Sequence, residues 1–401
     1  MPEGLGYPLP ESLQSALQKI KALQQCPADL FAKPPRIAFI SNTLPRFYES
    51  SDGFRLYHIL KILLLNGCAV DFFYYAQRWN DAKFKKVYQG NIRFRHIPFK
   101  HKAWDDVLFR TQADFVWITN LWSVGYFEFA AQLIPEVIDK APFKLIVDTM
   151  DFHYKEFHRK YQKSGCAEDL KLAEKFLTFE KAVYRKADRV VTVSDEEIGH
   201  IRTSIDGIKA FAVIPNIHEV CQATRPYGSR SHICFVGNFE TPHNADAVAY
   251  FIGKIFPQVL ERHPDVEFHV LGYGSEKYRK TFQSPGVKVL GSFKHLQKTM
   301  SCYRLFVCPM TYGAGVKGKI GSAIEAGVPV VTTPIGAEGF PLTDGKEIFV
   351  AGTPADFAEK CNQCLEDVEL WHRFSVLSRL ALAESYSPGV VSHKLRSILS
   401  P

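Results

Sequence analysis

The chain has 401 residues, 46% hydrophobic and 23% charged, with a net charge of +7. That length exceeds one typical core and suits two α/β domains of roughly 150 to 200 residues each, and the balanced composition excludes a disordered or fibrous chain. Nine cysteines without framework spacing imply reduced thiols and a cytoplasmic setting rather than a disulfide scaffold.

The opening stretch MPEGLGYPLPESLQSALQKIKALQQ has no early basic cluster followed by an apolar run. The most apolar segment, Ile59 to Val70, is broken by Lys61 and Asn66. Neither a signal peptide nor a membrane span is expected. Residues 1–33 read as an extension carrying a short helix, Glu11 to Gln24, before Pro34-Pro35. Arg36 to Ser41 then reads as a buried strand, Asp52 to Asn66 as an apolar-periodic helix and Ala69 to Tyr75 as the next strand, which makes a βαβ unit.

Between Asp81 and Asp105 lie Lys83, Lys85, Lys86, Arg93, Arg95, Lys100 and Lys102 with no acid among them. A solvated loop followed by a strand, Ile92 to Phe99, with Arg93 and Arg95 outward, is the favoured reading. Peripheral contact of Lys83 to Lys102 with the inner face of a membrane is the other option. Nucleic acid is not expected, since no binding module accompanies the charge.

The alternation continues with strands at Phe115 to Thr119, Leu145 to Asp148 and Val190 to Ser194, separated by helices such as Tyr126 to Lys140 and Glu168 to Arg185. The polar stretch Glu219 to Ser231 marks a boundary. A second series follows: Ile233 to Gly237, Val266 to Leu271, Val287 to Leu290, Leu305 to Pro309, Val328 to Thr332 and Ile348 to Val350. The expected organisation is two Rossmann-like, doubly wound α/β domains, 34–218 and 219–385, facing across a cleft. Residues 386–401 form a C-terminal helix, for which a return to the N-lobe is one option.

The most informative stretch is YGAGVKGKIGSAIEAGVPVVTTPIGAEGF, Tyr312 to Phe340. A glycine-rich turn (Gly313, Gly315, Gly318) entering a helix presents backbone N–H groups and a positive dipole end to an anion. Lys317 and Lys319 add two cations able to neutralise a diphosphate without a metal, so no cofactor is expected. Cys361 and Cys364 form one CxxC, but a structural zinc normally wants a second pair.

Gly313-Ala314-Gly315-Val316-Lys317-Gly318-Lys319-Ile320, Gly327-Val328-Pro329-Val330-Val331-Thr332-Thr333 and Ala337-Glu338-Gly339 resemble the group 1 glycosyltransferases, retaining enzymes of GT-B architecture. More loosely, the likeness runs over most of the chain from Arg36. It implies sugar transfer from a nucleotide diphosphate sugar to a glycan, lipid-linked or other hydroxyl acceptor, as in polysaccharide biosynthesis. It implies donor contacts at Gly53, Arg55, Gly237, Asn238, Gly315, Lys317, Lys319, Ser322, Glu338 and Gly339. It also implies an acceptor-side group of Asp148, Asp151 and His153, in which His153 takes the acceptor proton and Asp148 or Asp151 orients it. The alternative is that the two aspartates cap the next helix and His153 packs on its aromatic neighbours.

The chain departs from the family where many members carry two glutamates separated by seven residues; here those positions are Ala314 and Ser322. Glu325 lies one turn further along the helix, about 4 to 5 Å deeper, and does not inherit the ribose role. This departure motivates a second reading, a nucleotide-sugar-binding subunit that supports a partner transferase. A dinucleotide oxidoreductase is disfavoured, because NTLPRFYESSDG after the first strand lacks the G-x-G-x-x-G fingerprint.

Overall fold

Short runs of apolar residues set the strands of this chain, and because most of these strands are buried on both faces they pair in parallel under covering helices. The computed structural model describes residues 10–27, 29–45, 51–74, 92–97, 104–119, 121, 123–136, 142–220, 225–313 and 316–400. Two compact units result: Cys26–Ile217 together with the chain from Val391, and His218–Val390 together with the leading helix Glu11–Leu23.

The first unit holds β1 (Arg36–Ser41), β2 (Ala69–Tyr74), β3 (Ile92–His96), β4 (Phe115–Thr119), β5 (Lys144–Asp148), β6 (Arg189–Thr192) and β7 (Phe211–Val213). They form one parallel sheet in the order β3-β2-β1-β4-β5-β6-β7. On one face Phe39, Phe72 and Trp117 stack, with ring centroids 5.8 and 5.2 Å apart, and Val391 and Leu395 of the last helix, Pro388–Leu399, join that cluster.

The second unit holds β8 (Ser231–Val236), β9 (Phe268–Leu271), β10 (Val287–Gly291), β11 (Tyr303–Cys308), β12 (Val330–Thr332) and β13 (Phe349–Val350), also parallel, in the order β10-β9-β8-β11-β12-β13. Both orders reverse direction beside the first strand of their series, the doubly wound pattern whose ligands sit beyond the carboxyl ends of the strands. The leading helix packs Leu13 and Ala16 against Val376 and sinks Ile20 into this unit's core.

Several strands are shorter than the sequence suggests. The N–H of Val266 closes a turn on the His263 carbonyl (3.1 Å), so β9 starts at Phe268. Val328 donates to Ala323 (2.9 Å) behind Gly327 at φ +67°, so β12 starts at Val330. Cys361 and Cys364 are fully buried in the second unit's core, and burial pushes both thiols up, away from the thiolate; their role is packing. Of the basic segment, Lys83, Lys85, Lys86, Lys100 and Lys102 lie outside the described residues. Arg93 and Arg95 do point outward, and both approach Asp71, at 2.6 and 3.7 Å. Among the described residues, no helix is long and apolar enough to cross a membrane.

Candidate functional site

The exits of β8, β9 and β11 and the start of the helix Gly318–Glu325 build one site in the second unit. Lys317 occupies the N-cap position, and its side chain makes no capping hydrogen bond to this helix. The Lys317 side chain is 8% exposed. It folds back over Gly313, whose absent Cβ would lie 3.6 Å from Cε and 3.8 Å from Nζ, and Gly313 adopts φ +131°. Lys319 is partly buried and reaches the other way, toward β8. Its ammonium donates to Oδ1 of Asn244 and sits 4.6 Å from the centroid of the Phe235 ring. Burial pushes the Lys319 pKa down to about 8, with Lys317 pushing the same way and Cys308 opposing. Among the described residues Lys319 makes no ion pair with a carboxylate.

Asn244 is the hub of the site and is absent from the sequence-derived set. It is 4% exposed, donates through Nδ2 to the Asn238 carbonyl and to Oγ1 of Thr241 (both 2.7 Å), and holds Lys319 on its oxygen. Gly237 must lack a side chain, since a Cβ there would stand 2.9 Å from Asn244 Cγ. Asn238 uses its side-chain oxygen to accept from the Glu240 N–H (3.0 Å), an Asx turn that shapes the loop. Next in the chain, His243 has its pKa lowered to about 4 by burial and then by Lys319 and Lys317, against the pull of Asp246. It is therefore neutral at pH 7 and adds no charge of its own. Gly315 lies outside the described residues.

Further along the helix, Ser322 donates to the Gly318 carbonyl (3.2 Å), one turn back. Glu325 is 2% exposed; its two oxygens meet Nδ1 of His218 (2.8 Å) and Nε2 of Gln297 (2.9 Å). Gly321 makes room for that pair, because its Cβ would fall 2.2 Å from Nε2 of His218. Glu325 is thus committed to holding the helix in place. After β12, Thr333 caps the short helix Pro334–Ala337 by accepting from the Gly336 N–H (3.1 Å). Glu338 follows at the C-cap, partly exposed, and Gly339 at φ +82° offers its carbonyl to the Tyr386 hydroxyl (2.9 Å).

In the first unit the expected grouping is rearranged. Asp148, at the end of β5, is fully buried and takes a two-pronged ion pair from Arg55, Nη1 to Oδ2 at 2.8 Å and Nη2 to Oδ1 at 3.0 Å. Trp117 Nε1 and Thr119 Oγ1 also donate to it, at 3.2 and 3.3 Å. Arg55 is 1% exposed and also donates to the Ile214 carbonyl from Nε and Nη2 (2.9 and 2.8 Å) and to Sδ of Met150 from Nη1 (3.2 Å). Arg55 and Asp148 are thus committed to each other, and the contacts described for Asp148 do not include His153. Gly53 is buried in the first turn of the helix Ser51–Leu65, two residues before Arg55.

His153 opens the helix His153–Ser164 and is 8% exposed. Its ring stacks on Phe176 (4.8 Å) and meets Phe127 edge-on (5.8 Å). Its partner is Glu180, fully buried on the helix Ala167–Tyr184, with Nδ1 3.6 Å from Oε1. Glu180 accepts the His153 and Tyr154 N–H groups (2.9 and 3.3 Å) and Glu197 accepts that of Phe152. Burial alone would lower the His153 pKa; the Glu180 carboxylate, with smaller pulls from Asp151 and Glu156, outweighs it and holds the pKa above the ordinary histidine value. Asp151 thus acts on His153 through charge.

Residues 230–367 match the family model described as glycosyl transferases group 1. That segment is the strand-and-loop frame of the two-lysine site. Sucrose-phosphate synthase from Thermosynechococcus elongatus superposes with a TM-score of 0.69 at 15% identity, covering 91% of this chain and 98% of that one. HepE from Anabaena, solved with UDP and glucose, gives 0.66 at 15% identity, covering 91% and 99%. The fold is GT-B. A curated protein of Klebsiella pneumoniae, described as an uncharacterized 44.6 kDa protein in the cps region, is 28% identical over 137 residues, 32% of this chain and 35% of its own length. The match therefore spans about a third of that relative.

Proposed function

We propose that this chain transfers a sugar from a nucleotide diphosphate sugar to a hydroxyl acceptor, with retention at the anomeric carbon. One observation carries it: Lys319, a partly buried cation without a carboxylate partner among the described residues, stands with Lys317 at a helix N-terminus. A desolvated positive site of this kind is completed by an anion. As the acceptor oxygen bonds to the anomeric carbon, the bond to the diphosphate breaks and charge grows on the leaving phosphate. Lys317 and Lys319 stabilise that charge, a role we assign to them in place of a divalent ion. Gly237, Asn238 and Ser322 line the approach from β8 and the helix, and Glu338 with Gly339 is assigned to the sugar.

HepE, with its UDP and glucose, supports a uridine diphosphate sugar as donor. The capsule-region setting in the Klebsiella relative's description supports a glycan acceptor. The acceptor proton passes to the leaving phosphate or to His153. If His153 takes it, activity rises with pH as the imidazole loses its proton. Because Glu180 holds that pKa up, the acid limb of the kcat/KM profile lies above about pH 6.5. Glu180→Gln removes the raising charge and leaves burial dominant, so the limb moves to lower pH; a limb that stays in place rules out the His153–Glu180 pair.

A thermal-shift and turnover panel of uridine, guanosine, thymidine and adenosine diphosphate sugars, run in EDTA, tests the whole proposal. Saturation to about a hundredfold over Kd stabilises a binding protein by roughly 2.7 kcal/mol. Absence of any shift together with absence of hydrolysis or transfer would sink it.

Ser322 supports the second reading, a donor-binding subunit with little turnover, because its hydroxyl is directed to its own helix where the family has a carboxylate. Turnover by the unaltered chain removes that reading. Activity that appears only in Ser322→Glu establishes it.

A further inference from the structure

Tyr273 is among the most exposed large aromatics of the described residues, at 67%, yet its backbone is tightly held. It lies between Gly272 at φ +128° and Gly274 at φ +74°. A Cβ on Gly272 would stand 1.8 Å from the Gly237 carbonyl oxygen, and one on Gly274 would stand 2.8 Å from Oε1 of Glu240. The Tyr273 carbonyl accepts from the Phe239 N–H (2.8 Å), and Lys277 pairs with Glu240 at 3.1 Å. The β9 exit is therefore clamped onto the β8 exit, and the ring projects from that clamp.

The clamp is one contact away from the phosphate cations. Gly237 touches Gly272 on one side and Asn244 on the other, and Asn244 holds Lys319. Tyr273 thus stands on the β9 side of the two lysines, whereas Glu338 and Gly339 follow β12 on the opposite side of β11 in the sheet. A nucleotide sugar carries its sugar and its nucleoside at opposite ends of the diphosphate. With the sugar end toward β12, the nucleoside end runs toward β9.

We infer that Tyr273 is the platform on which the nucleobase of the donor stacks, an inference that rests on the donor-site reading above. A tyrosine on a fixed backbone has only two side-chain torsions to lose on binding, and base stacking on an aromatic face contributes without regard to which base is present. Tyr273 therefore supplies affinity for nucleoside diphosphates over bare pyrophosphate, and the choice among bases belongs to groups that meet the base edges.

The experiment is calorimetric titration of the full chain, Tyr273→Ala and Tyr273→Phe with UDP, GDP, ADP and inorganic pyrophosphate. Tyr273→Ala is expected to weaken all three nucleotides by about 5- to 150-fold, with pyrophosphate unchanged and Tyr273→Phe close to the parent. Tyr273→Ala binding the nucleotides as the parent does, or losing pyrophosphate equally, overturns the platform and leaves the donor site standing. A parent chain that binds none of the four ligands overturns the donor site as well.

Discussion

Lys319→Ala is expected to lower kcat/KM for the nucleotide sugar by roughly two to three orders of magnitude, the scale seen when one preorganised charge-stabilising donor is removed. The fold should survive, because the Lys319 ammonium holds together no ion pair among the described residues; it donates to Asn244 and sits over the Phe235 ring. Its pH behaviour distinguishes it from a surface lysine. With the pKa lowered to about 8, the ammonium is charged at pH 7 and discharges as pH rises through that value, so diphosphate affinity falls above about pH 8. Stability of the free chain moves oppositely. The unfolded lysine still binds its proton up to about pH 10.4, so between the two pKa values unfolding takes up a proton and stability rises with pH. Lys319→Met should flatten both curves. Loss of affinity only above pH 10 would mean that this lysine titrates as an exposed one.

Asp148→Ala should destabilise the first unit by about 3–5 kcal/mol, because it strands a buried guanidinium whose partner has gone. Arg55 is 1% exposed and Asp148 fully buried, so water cannot replace either group without opening the core. The Arg55→Met, Asp148→Leu double variant removes both charges and should lie well short of the sum of the single losses. Denaturant midpoints measure this. An Asp148→Ala chain that unfolds at the parent's midpoint but fails to turn over would return Asp148 to the catalytic group.

The sequence shows the elements and the glycine-rich loop because those signals are local. β1 and β4 are built on the apolar runs Ile37–Ile40 and Phe115–Ile118, and Lys317 and Lys319 sit two residues apart inside one turn. The partners of the site residues are far apart in the chain and invisible to periodicity. Asn244 holds Lys319 across 75 residues, Arg55 meets Asp148 across 93, and His218 meets Glu325 across 107. Asp148 illustrates the difficulty. An acid at a strand end beside Asp151 and His153 suggests a catalytic cluster, but β5 is an interior strand, so the carboxylate points into the core and needs a buried cation. Glu180, 27 residues beyond His153, carries one faint signal: it falls on the face of its helix shared with the buried Phe176 and Val183, where an acid needs a partner.

The most direct test of the two-lysine site is the affinity of UDP and pyrophosphate for the parent, Lys317→Ala and Lys319→Ala at pH 7 and pH 9.5. The expected result is binding of both ligands by the parent at pH 7, weakened in each variant and weakened in the parent at pH 9.5. Equal affinities across all three proteins and both pH values would contradict a diphosphate held by Lys317 and Lys319.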